Sequence, residues 1–232
     1  MKDSDFQEIK DLPLFHNMDN GNFDTLMRGA YIQNFPAQVE LITEGEASNF
    51  LHIVASGCVE LFASWNERET SMATVRPMST FILAATIKDA PYLMSARTME
   101  KSRVVLLPSQ DVRKVFDKDN IFARSVVTEL AQCYRTVVKN SKGLKLRTSI
   151  ERLANYLIKQ NIYAGETGEF DLKTEKRLLA SYLGMTPENL SRAIKALQPY
   201  GVKISGAHVI ITDMNDLESL AKPTPSIDDP DH

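Results

Sequence analysis

The stretch LGMTPENLSRAIKAL, residues 183–197, decides how the C-terminal part of this chain folds. Its apolar residues recur every three or four positions, which is the spacing of a helix with one buried face. They are Leu190, Ala193, Ile194 and Leu197. Thr186 and Pro187 come just before this run, and they predict an N-cap followed by the first helical position. The opposite face would present polar side chains, which are Glu188, Ser191, Arg192 and Lys195.

The segments around this helix supply the other elements of a winged helix-turn-helix. Periodicity and turn residues predict two further helices, a short strand and a hairpin. The helices lie at 150–158 and 174–183, the strand at 168–172, and the hairpin at 202–205 with 208–212. Thr174 is expected to open the helix that precedes the turn at 184–186. In a winged helix-turn-helix, the second helix of the pair enters the major groove of DNA.

Two side chains of the exposed face have the chemistry of base readers. The guanidinium of Arg192 can donate two hydrogen bonds to a guanine, and the carboxylate of Glu188 can accept one from a cytosine amino group. Glu188 lies four residues before Arg192, so it is also expected to hold the guanidinium in its fork orientation. The alternative is a solvated helix face with an incidental ion pair, which is worth roughly a few tenths of a kcal/mol.

Residues 31–107 favour short strands separated by turn signals. Runs of β-branched and aromatic residues recur at intervals of roughly ten residues. They are VELIT (39–43), FLHIV (50–54), CVELFA (58–63), TSMATV (70–75) and RVVLLP (103–108). This spacing predicts an antiparallel jelly roll, preceded by short helices in residues 6–30. The whole chain is therefore expected to be of the α+β class.

A long helix is predicted after Pro108. Its apolar positions alternate at intervals of four and three over roughly three heptads. The series is Ala123, Val127, Leu130, Tyr134, Val137, Ser141 and Leu144. It favours a seam between two copies of the chain, and the alternative is a helix that packs on its own β domain. A hinge is expected at 142–148, where Gly143 precedes a polar run.

These elements divide the chain into four predicted parts. They are an effector domain at 1–118, a dimerisation helix with the hinge at 119–147, a winged helix-turn-helix at 148–220 and a disordered acidic tail at 221–232. Residues 145–212 carry 10 basic and 6 acidic side chains, a net charge of +4, although the whole chain carries −3. The positive charge thus coincides with the segment that is predicted to meet DNA.

The composition predicts a cytoplasmic protein without a membrane partner. No window of the sequence approaches the length of apolar run that spans a bilayer, and the first residues, MKDSDFQEIK, are too polar for a signal peptide. Cys58 and Cys133 are the only cysteines, and they supply neither a disulfide framework nor the ligand spacing of a zinc site.

Four segments of the chain are similar to segments of one protein family. PLFHNM (13–18) and VELITEGEASNFLHIVASGCVELF (39–62) resemble its effector domain. LKLRTSIERLANYL (144–157) resembles its hinge and the first helix of its DNA-binding domain. PENLSRAIKAL (187–197) resembles its recognition helix, in the E-x-x-S-R form that is characteristic of the Fnr-like branch. Together they resemble the Crp/Fnr family of bacterial transcription regulators over nearly the whole chain.

The resemblance implies a homodimer on double-stranded DNA, with RNA polymerase as a further partner if the protein activates transcription. The half-site of an Fnr-like helix resembles TTGAT, repeated in a palindrome that matches a two-fold dimer. Glu188, Ser191 and Arg192 would read bases. The residues that would contact backbone phosphates are Thr186, Asn189, Lys195 and Lys176.

The segment that binds cyclic nucleotides in this family is altered here. Family members that bind them carry F-I-G-E-L followed by R-S-A, and FILAA (81–85) and MSA (94–96) align with this cassette. Leu83 replaces the glycine, Ala84 the ribose-binding glutamate and Met94 the phosphate-binding arginine. A cyclic phosphate would meet no cation, so cAMP is not the expected effector. The expected pocket for a small effector is apolar and is lined by Ile82, Leu83, Ala84, Ala85, Met94, Ser95, Val137 and Val138.

The resemblance also narrows the sensor chemistry. An oxygen sensor of the Fnr type holds an iron–sulfur cluster with four cysteines, and no cysteine precedes Cys58. An Fnr-like helix combined with an apolar cassette resembles the nitric-oxide-responsive denitrification regulators, which implies haem as a candidate cofactor. His16 and His52 would be its candidate ligands, and the alternative is that both are ordinary polar residues.

Two other functions are disfavoured by the sequence. A cupin-like metalloenzyme on the β-barrel would need clustered histidines with a carboxylate, whereas the 4 histidines of this chain are scattered. A cyclic-nucleotide-responsive regulator of the same fold would need the cation that Met94 replaces. The protein is therefore not expected to be an enzyme.

Overall fold

The structure is a computed structural model that describes residues 3–172 and 174–229. The chain forms two compact units, residues 1–133 and 134–232. The division between them falls inside the predicted long helix. Among the helices of the described residues, none combines the length and the apolar run that crossing a membrane requires.

The first unit begins with two short helices, α1 (Asp3–Lys10) and α2 (Asn20–Arg28). Its strands are β1 (Tyr31–Phe35), β2 (Glu40–Ile42), β3 (Phe50–Ser56), β4 (Val59–Trp65), β5 (Arg68–Val75), β6 (Ser79–Phe81), β7 (Ser95–Thr98) and β8 (Ser102–Pro108). A short helix, α3 (Leu83–Lys88), lies between β6 and β7. The five predicted strands correspond to β2, β3, β4, β5 and β8. The sequence did not indicate β1, β6 and β7. β6 and β7, Ser-Thr-Phe and Ser-Ala-Arg-Thr, are too short and too polar to show a period. β1, Tyr-Ile-Gln-Asn-Phe, has no buried residue and no regular alternation of apolar and polar side chains.

The strands form two antiparallel sheets, with the orders β1-β8-β3-β6 and β2-β7-β4-β5. β3 is buried on both faces, because Leu51 and Ile53 pack in one apolar cluster with the N-terminal helices while Val54 packs in a second cluster with residues of the other sheet. Such a strand reads as a continuous apolar run, which is why FLHIV was recognisable. The predicted jelly-roll-like effector domain is confirmed.

Two helices follow β8, α4 (Ser109–Phe116) and α5 (Asn120–Leu146). Asp119, which is 6% exposed, fixes the start of α5. Its carboxylate accepts two backbone N–H groups of the first turn at 3.0 Å, and two donors from the start of α2 at 2.9 and 3.1 Å. Burial alone would raise the pKa of Asp119, but these hydrogen bonds hold it below its ordinary value.

The predicted seam on α5 is largely exposed in the single chain. Phe122 and Val126 are fully buried in the first unit, and Leu130 packs against the same cluster. The other large apolar members of the seam are Val127, Tyr134, Val137 and Leu144, and their exposures are 59%, 70%, 64% and 49%. Ala123 and Ser141 are half-buried. The alternative that the helix packs on its own domain therefore holds for Leu130 alone among the large seam residues.

The second unit contains the C-terminal part of α5 and a winged helix-turn-helix. Its further elements are α6 (Ser149–Tyr163), β9 (Glu169–Asp171), α7 (Lys176–Tyr182), α8 (Pro187–Ala196), β10 (Val202–Ser205), β11 (His208–Ile211), α9 (Met214–Ala221) and α10 (Pro225–Asp228). The three strands form an antiparallel sheet with the order β10-β11-β9. One apolar cluster joins the helices to this sheet, and the predicted DNA-binding fold is confirmed.

The junction between α5 and α6 lies inside the predicted hinge. α5 continues through Gly143 to Leu146, and only Arg147 and Thr148 separate it from α6. Thr148 and Glu151 form a capping box, in which the Glu151 carboxylate accepts the N–H of Thr148 at 2.7 Å and the Thr148 hydroxyl accepts the N–H of Glu151 at 3.4 Å. The junction is therefore short, and α6 begins with a defined, capped first turn.

The prediction of a disordered tail is wrong for residues 221–229. Ala221 ends α9, Lys222 turns the chain with a positive φ of 47°, and α10 follows. The reason is that Arg147, at the α5–α6 junction, pairs with Asp228, and Lys142 of α5 donates to the hydroxyl of Ser226. Composition alone does not reveal these contacts. Residues 230–232 lie outside the described residues.

Candidate nucleic-acid interface

α8 is held by its apolar face, which leaves its polar face in solvent. Leu190, Ala193 and Leu197 are 1%, 4% and 0% exposed. The hydroxyl of Thr186 accepts the N–H of Asn189 at 3.2 Å, and a proline occupies the first helical position, as predicted. Full burial of one leucine side chain is worth about 1.5–3 kcal/mol, so the rotation of α8 about its own axis is strongly fixed.

The turn between α7 and α8 needs a glycine. Gly184 has a φ of +63°, and a Cβ at this position would lie 2.4 Å from Cδ2 of Leu144. The N–H of Gly184 donates to the carbonyl of Ser181, and that of Met185 to the carbonyl of Ala180, both at 2.9 Å. These bonds satisfy the last carbonyls of α7 and aim the chain into α8.

Arg152 connects this turn to the α5–α6 junction. Its Nε donates to the carbonyl of Leu183 at 2.8 Å, its Nη2 to that of Gly184 at 3.4 Å, and its Nη1 to that of Arg147 at 2.6 Å. Burial lowers the pKa of this guanidinium, and all three bonds go to carbonyl oxygens. Sequence reasoning missed this residue, because a basic side chain on a helix does not show which carbonyls it will meet.

The three predicted base readers lie together on the exposed face of α8. Glu188, Ser191 and Arg192 are all exposed. Hydrogen bonding from its own backbone N–H and from Thr186, followed by the charge of Arg192, lowers the pKa of Glu188. In the part of the chain that the structure describes, Glu188 and Arg192 form no direct ion pair. The prediction that Glu188 holds the guanidinium is therefore wrong, and the donors at the start of its own helix affect this carboxylate more than Arg192 does.

Ser191 is also bonded within its own helix. Its hydroxyl donates to the carbonyl of Pro187 at 2.9 Å. In this rotamer the oxygen keeps its lone pairs and can only accept from a ligand, so donation would require the hydroxyl to rotate.

The four predicted phosphate contacts are also exposed. They are Thr186 and Asn189 at the start of α8, Lys195 in its last turn and Lys176 at the start of α7. The N-cap of α7 is Glu175, which makes no side-chain capping bond. The prediction that Thr174 opens this helix is therefore wrong by one residue, because the chain is still extended at Glu175 with a ψ of 144°.

The wing is the three-stranded sheet of β9, β10 and β11, and it holds a histidine between two carboxylates. Nδ1 of His208 lies 3.0 Å from Oδ1 of Asp171, and Nε2 lies 3.0 Å from Oε1 of Glu169. The hydrogen bond with Asp171, followed by the charges of both carboxylates, raises the pKa of His208. This group was not predicted, because it depends on the register that places His208 opposite Asp171 across β11 and β9.

The predicted effector-pocket residues of the first unit do not lie together: they are distributed over two apolar clusters and the exposed surface. Ile82, Ala85 and Met94 pack against the apolar cluster between the sheets. Leu83 packs in the other cluster of this unit, and Ala84 is exposed. The structure separates them because Ile82, with a φ of +66°, leads into α3, where successive side chains point in different directions.

Ser95, which matches the serine of the cassette, already has a structural partner. Its hydroxyl accepts the N–H of Glu44 at 2.9 Å, and the residue is 8% exposed. Val137 and Val138 belong to the second unit and are 64% and 38% exposed. A pocket that combines them with the cassette stays a prediction.

The one arginine of β7 is not available to the cassette. Nε of Arg97 donates to Glu60 at 2.8 Å and Nη2 to Glu69 at 2.6 Å, and the guanidinium stacks over the ring of Phe62 at 4.3 Å. The hydrogen bonds with Glu69 and Glu60 raise the pKa of Arg97. Ala96, the preceding residue, packs between the sheets, so Arg97 points to the opposite face.

Neither candidate haem ligand has the surroundings of a haem site. His52 is 3% exposed, and its ring stacks on Phe81 with 5.0 Å between the centroids. Burial lowers the pKa of His52 to about 4, and its Nδ1 has no hydrogen-bond partner among the described residues. The ring would have to leave this stack to reach an iron atom. His16 lies on an exposed turn, which does not provide the apolar enclosure that holds a haem. His16 and His52 therefore do not fit the binding of a haem.

Comparison with known proteins agrees with this architecture. Residues 32–119 match the family described as cyclic nucleotide-binding domain, and residues 151–220 match the Crp-like helix-turn-helix domain. A cyclic nucleotide-binding domain followed by a Crp-like helix-turn-helix domain is the arrangement of a class of transcription regulators. The chain belongs to the Crp/Fnr family of transcription regulators.

Similar proteins are distant in sequence and alike in length. The Cyclic AMP receptor protein of Thermus thermophilus is 23% identical over 215 residues, which cover 92% of this chain and 98% of that protein. The Transcriptional activator protein anr of Pseudomonas aeruginosa is 22% identical over 186 residues, 78% of this chain and 76% of that protein. FixK2 from Bradyrhizobium japonicum, whose structure is known, has 22% sequence identity to this chain. The two structures match with a TM-score of 0.69 over 84% of this chain and 98% of FixK2. These likenesses support the fold and leave the denitrification branch a prediction.

Proposed function

We propose that this chain is a homodimeric regulator that reads a palindromic, TTGAT-like DNA site with α8 and responds to a small effector other than cAMP. The observation that carries the proposal is the first half of α8. An acid, a hydroxyl and a guanidinium are exposed there on one face, while the opposite face is buried and the helix start is capped.

Each of the three side chains has a distinct role in this proposal. Arg192 donates a fork of two hydrogen bonds to a guanine, and Glu188 accepts from a cytosine amino group. Ser191 accepts from a neighbouring base while its hydrogen remains on the carbonyl of Pro187. The Glu188 carboxylate is charged at neutral pH, and its lowered pKa extends this charged range to more acidic pH.

The phosphate contacts would set the register of α8 in the groove. Thr186 and Asn189 lie where the backbone N–H groups and the dipole of α8 favour an anion. Lys195 and Lys176 place a cation on either side of this point along the chain. Contacts of this kind contribute affinity that falls with salt and carry no base preference.

A second copy of the chain is the proposed partner of the exposed seam. Val127, Tyr134, Val137 and Leu144 expose apolar surface at heptad spacing on a helix of 27 residues. Two such helices side by side would bury these side chains against each other by knobs-into-holes packing. A two-fold dimer would place two copies of α8 on the two halves of a palindrome. If the regulator activates transcription, RNA polymerase is its further partner.

The proposed effector is small and uncharged. Met94 occupies the position of the phosphate-binding arginine, and the nearby Arg97 is held by two carboxylates on the other face of the sheet. A cyclic phosphate would therefore be desolvated without a cation, which is costly. The Thermus relative is named for cyclic AMP, so a direct binding test with cAMP separates the two possibilities.

The proposal is tested by fluorescence anisotropy with labelled duplexes of equal length. One duplex carries two TTGAT half-sites in a palindrome, a second carries one half-site, and a third has both scrambled. We expect the palindrome to bind more tightly than the single half-site, and the scrambled duplex to bind with the weakest affinity and the same salt slope. Equal affinity for the palindrome and the scrambled duplex at every salt concentration would contradict sequence-specific reading.

A further inference from the structure

Residues 222–229, here called the C-terminal clasp, fold back against the end of α5. The buried amide of Asn155 donates to the carbonyl of Ala221 at 2.7 Å and so anchors the point where the clasp begins. Lys222 then reverses the chain in the left-handed region. α10 follows, and its last residue, Asp228, also accepts the N–H of Thr224 at 2.7 Å. The clasp is therefore a closed and internally bonded turn.

The clasp binds cations of α5 and of the junction that follows it. Asp228 receives both arms of the Arg147 guanidinium, Nη1 to Oδ1 at 2.7 Å and Nη2 to Oδ2 at 2.6 Å. Only 10% of the Arg147 side chain and 25% of the Asp228 side chain are exposed. Nζ of Lys142 donates to the hydroxyl of Ser226 at 2.9 Å. A half-shielded, two-armed pair of this kind is stronger than an ion pair in open solvent.

The pair of Arg147 with Asp228 lies at the junction between α5 and α6. Arg147 is the residue between the end of α5 and the N-cap of α6. Its carbonyl accepts Nη1 of Arg152 at 2.6 Å, and Nε of Arg152 donates to the carbonyl of Leu183 at 2.8 Å. An unbroken series of hydrogen bonds thus runs from Asp228 to the turn that opens α8.

We propose that the C-terminal clasp is an intramolecular latch that fixes the α5–α6 junction and, through Arg152, the orientation of α8 relative to the end of α5. The latch is closed by Asp228 on Arg147. Opening it frees the junction while leaving the apolar core of the helix-turn-helix in place, because that core contains none of the clasp residues.

The test is hydrogen–deuterium exchange on the full chain, without DNA. Asp228→Asn keeps the shape of the side chain and removes its charge. We expect the amides of residues 143–149 to exchange roughly tenfold faster, the effect of losing a charged hydrogen-bonded pair. Glu218→Gln removes the same charge from an exposed position on α9 and is expected to leave these amides unchanged. Arg147→Gln should match Asp228→Asn, and the double variant should add little to either.

Two results would overturn the latch. One is unchanged exchange at 143–149 in Asp228→Asn. The other is an equal acceleration throughout residues 150–221, which would make the clasp a general brace of the domain. Because no DNA is present, a failure of sequence-specific DNA binding and a failure of the latch are separate results.

Discussion

The same substitution at two glycines of the second unit should have opposite effects on stability. Gly184, with a φ of +63°, lies in the turn before α8, and a Cβ there would be 2.4 Å from Cδ2 of Leu144. Gly143 lies inside α5, where a Cβ would meet nothing within 4 Å. Gly184→Ala is therefore strained by its backbone and by its neighbour, whereas Gly143→Ala is strained by neither.

The magnitudes follow from these two environments. An alanine in the left-handed region costs about 1–2 kcal/mol. The contact with Leu144 adds about 0.5–1.5 kcal/mol if that side chain leaves its rotamer, which its 49% exposure allows. Alanine in place of glycine inside a helix is favourable by about 0.5–1 kcal/mol. The free energies of unfolding of the two variants should therefore differ by about 2–4.5 kcal/mol, with the parent chain between them.

Urea unfolding of the full chain, followed by circular dichroism at the helical band, measures this difference. Leu144→Ala combined with Gly184→Ala removes the methyl group that collides but keeps the positive φ. The double variant, compared with Leu144→Ala alone, should show only the backbone part of the loss. Gly184→Ala that unfolds at the same urea concentration as the parent would refute the reasoning about the turn.

Three further predictions concern the seam, the effector and the wing. Val137→Asp should convert the proposed dimer to monomers in light scattering, whereas Thr128→Asp, which lies off the seam on the same helix, should not. Leu130 is a poorer position for this test because it also packs in the first unit. A Val137→Asp variant that remains dimeric would exclude the seam. Isothermal calorimetry with cAMP should show no binding at micromolar concentrations, and a micromolar dissociation constant would overturn the argument from Met94. Because the pKa of His208 is raised above 6.5, its pairing should stabilise the wing fully below pH 6.5, and this contribution should be lost as the pH rises through the higher folded value. An NMR titration in which His208 protonates at or below pH 6.5 would contradict the pairing with Asp171.

The features that could be predicted from the sequence are those with local causes. α8 was recognisable because its cap, its proline and its apolar period all lie within residues 183–197. The jelly roll was recognisable from its longer strands, since β3 and β8 are continuous apolar runs. The seam was recognisable because heptad spacing is a property of one helix, although the sequence could not show that Leu130 would also pack on the first unit.

The features that could not be predicted depend on partners distant in the sequence. Arg152 meets carbonyls at Leu183 and Gly184, and Asp228 meets a guanidinium 81 positions earlier. No local pattern marks such a pair, and the acidic composition of the tail favoured disorder instead. Glu188 is a different case: its predicted partner was Arg192, four residues later, but its carboxylate is affected more by the start of its own helix.

Base preference and salt dependence, measured together for three variants of α8, test the central proposal most directly. Arg192→Ala should cost about 1–3 kcal/mol of binding free energy and relax the preference at one base pair of each half-site. Glu188→Ala should reduce discrimination more than affinity. Lys195→Ala should weaken all sequences alike and flatten the salt slope by roughly one unit, as the loss of one phosphate contact does. If all three variants lose affinity uniformly and none changes its base preference, α8 is not the element that reads the DNA.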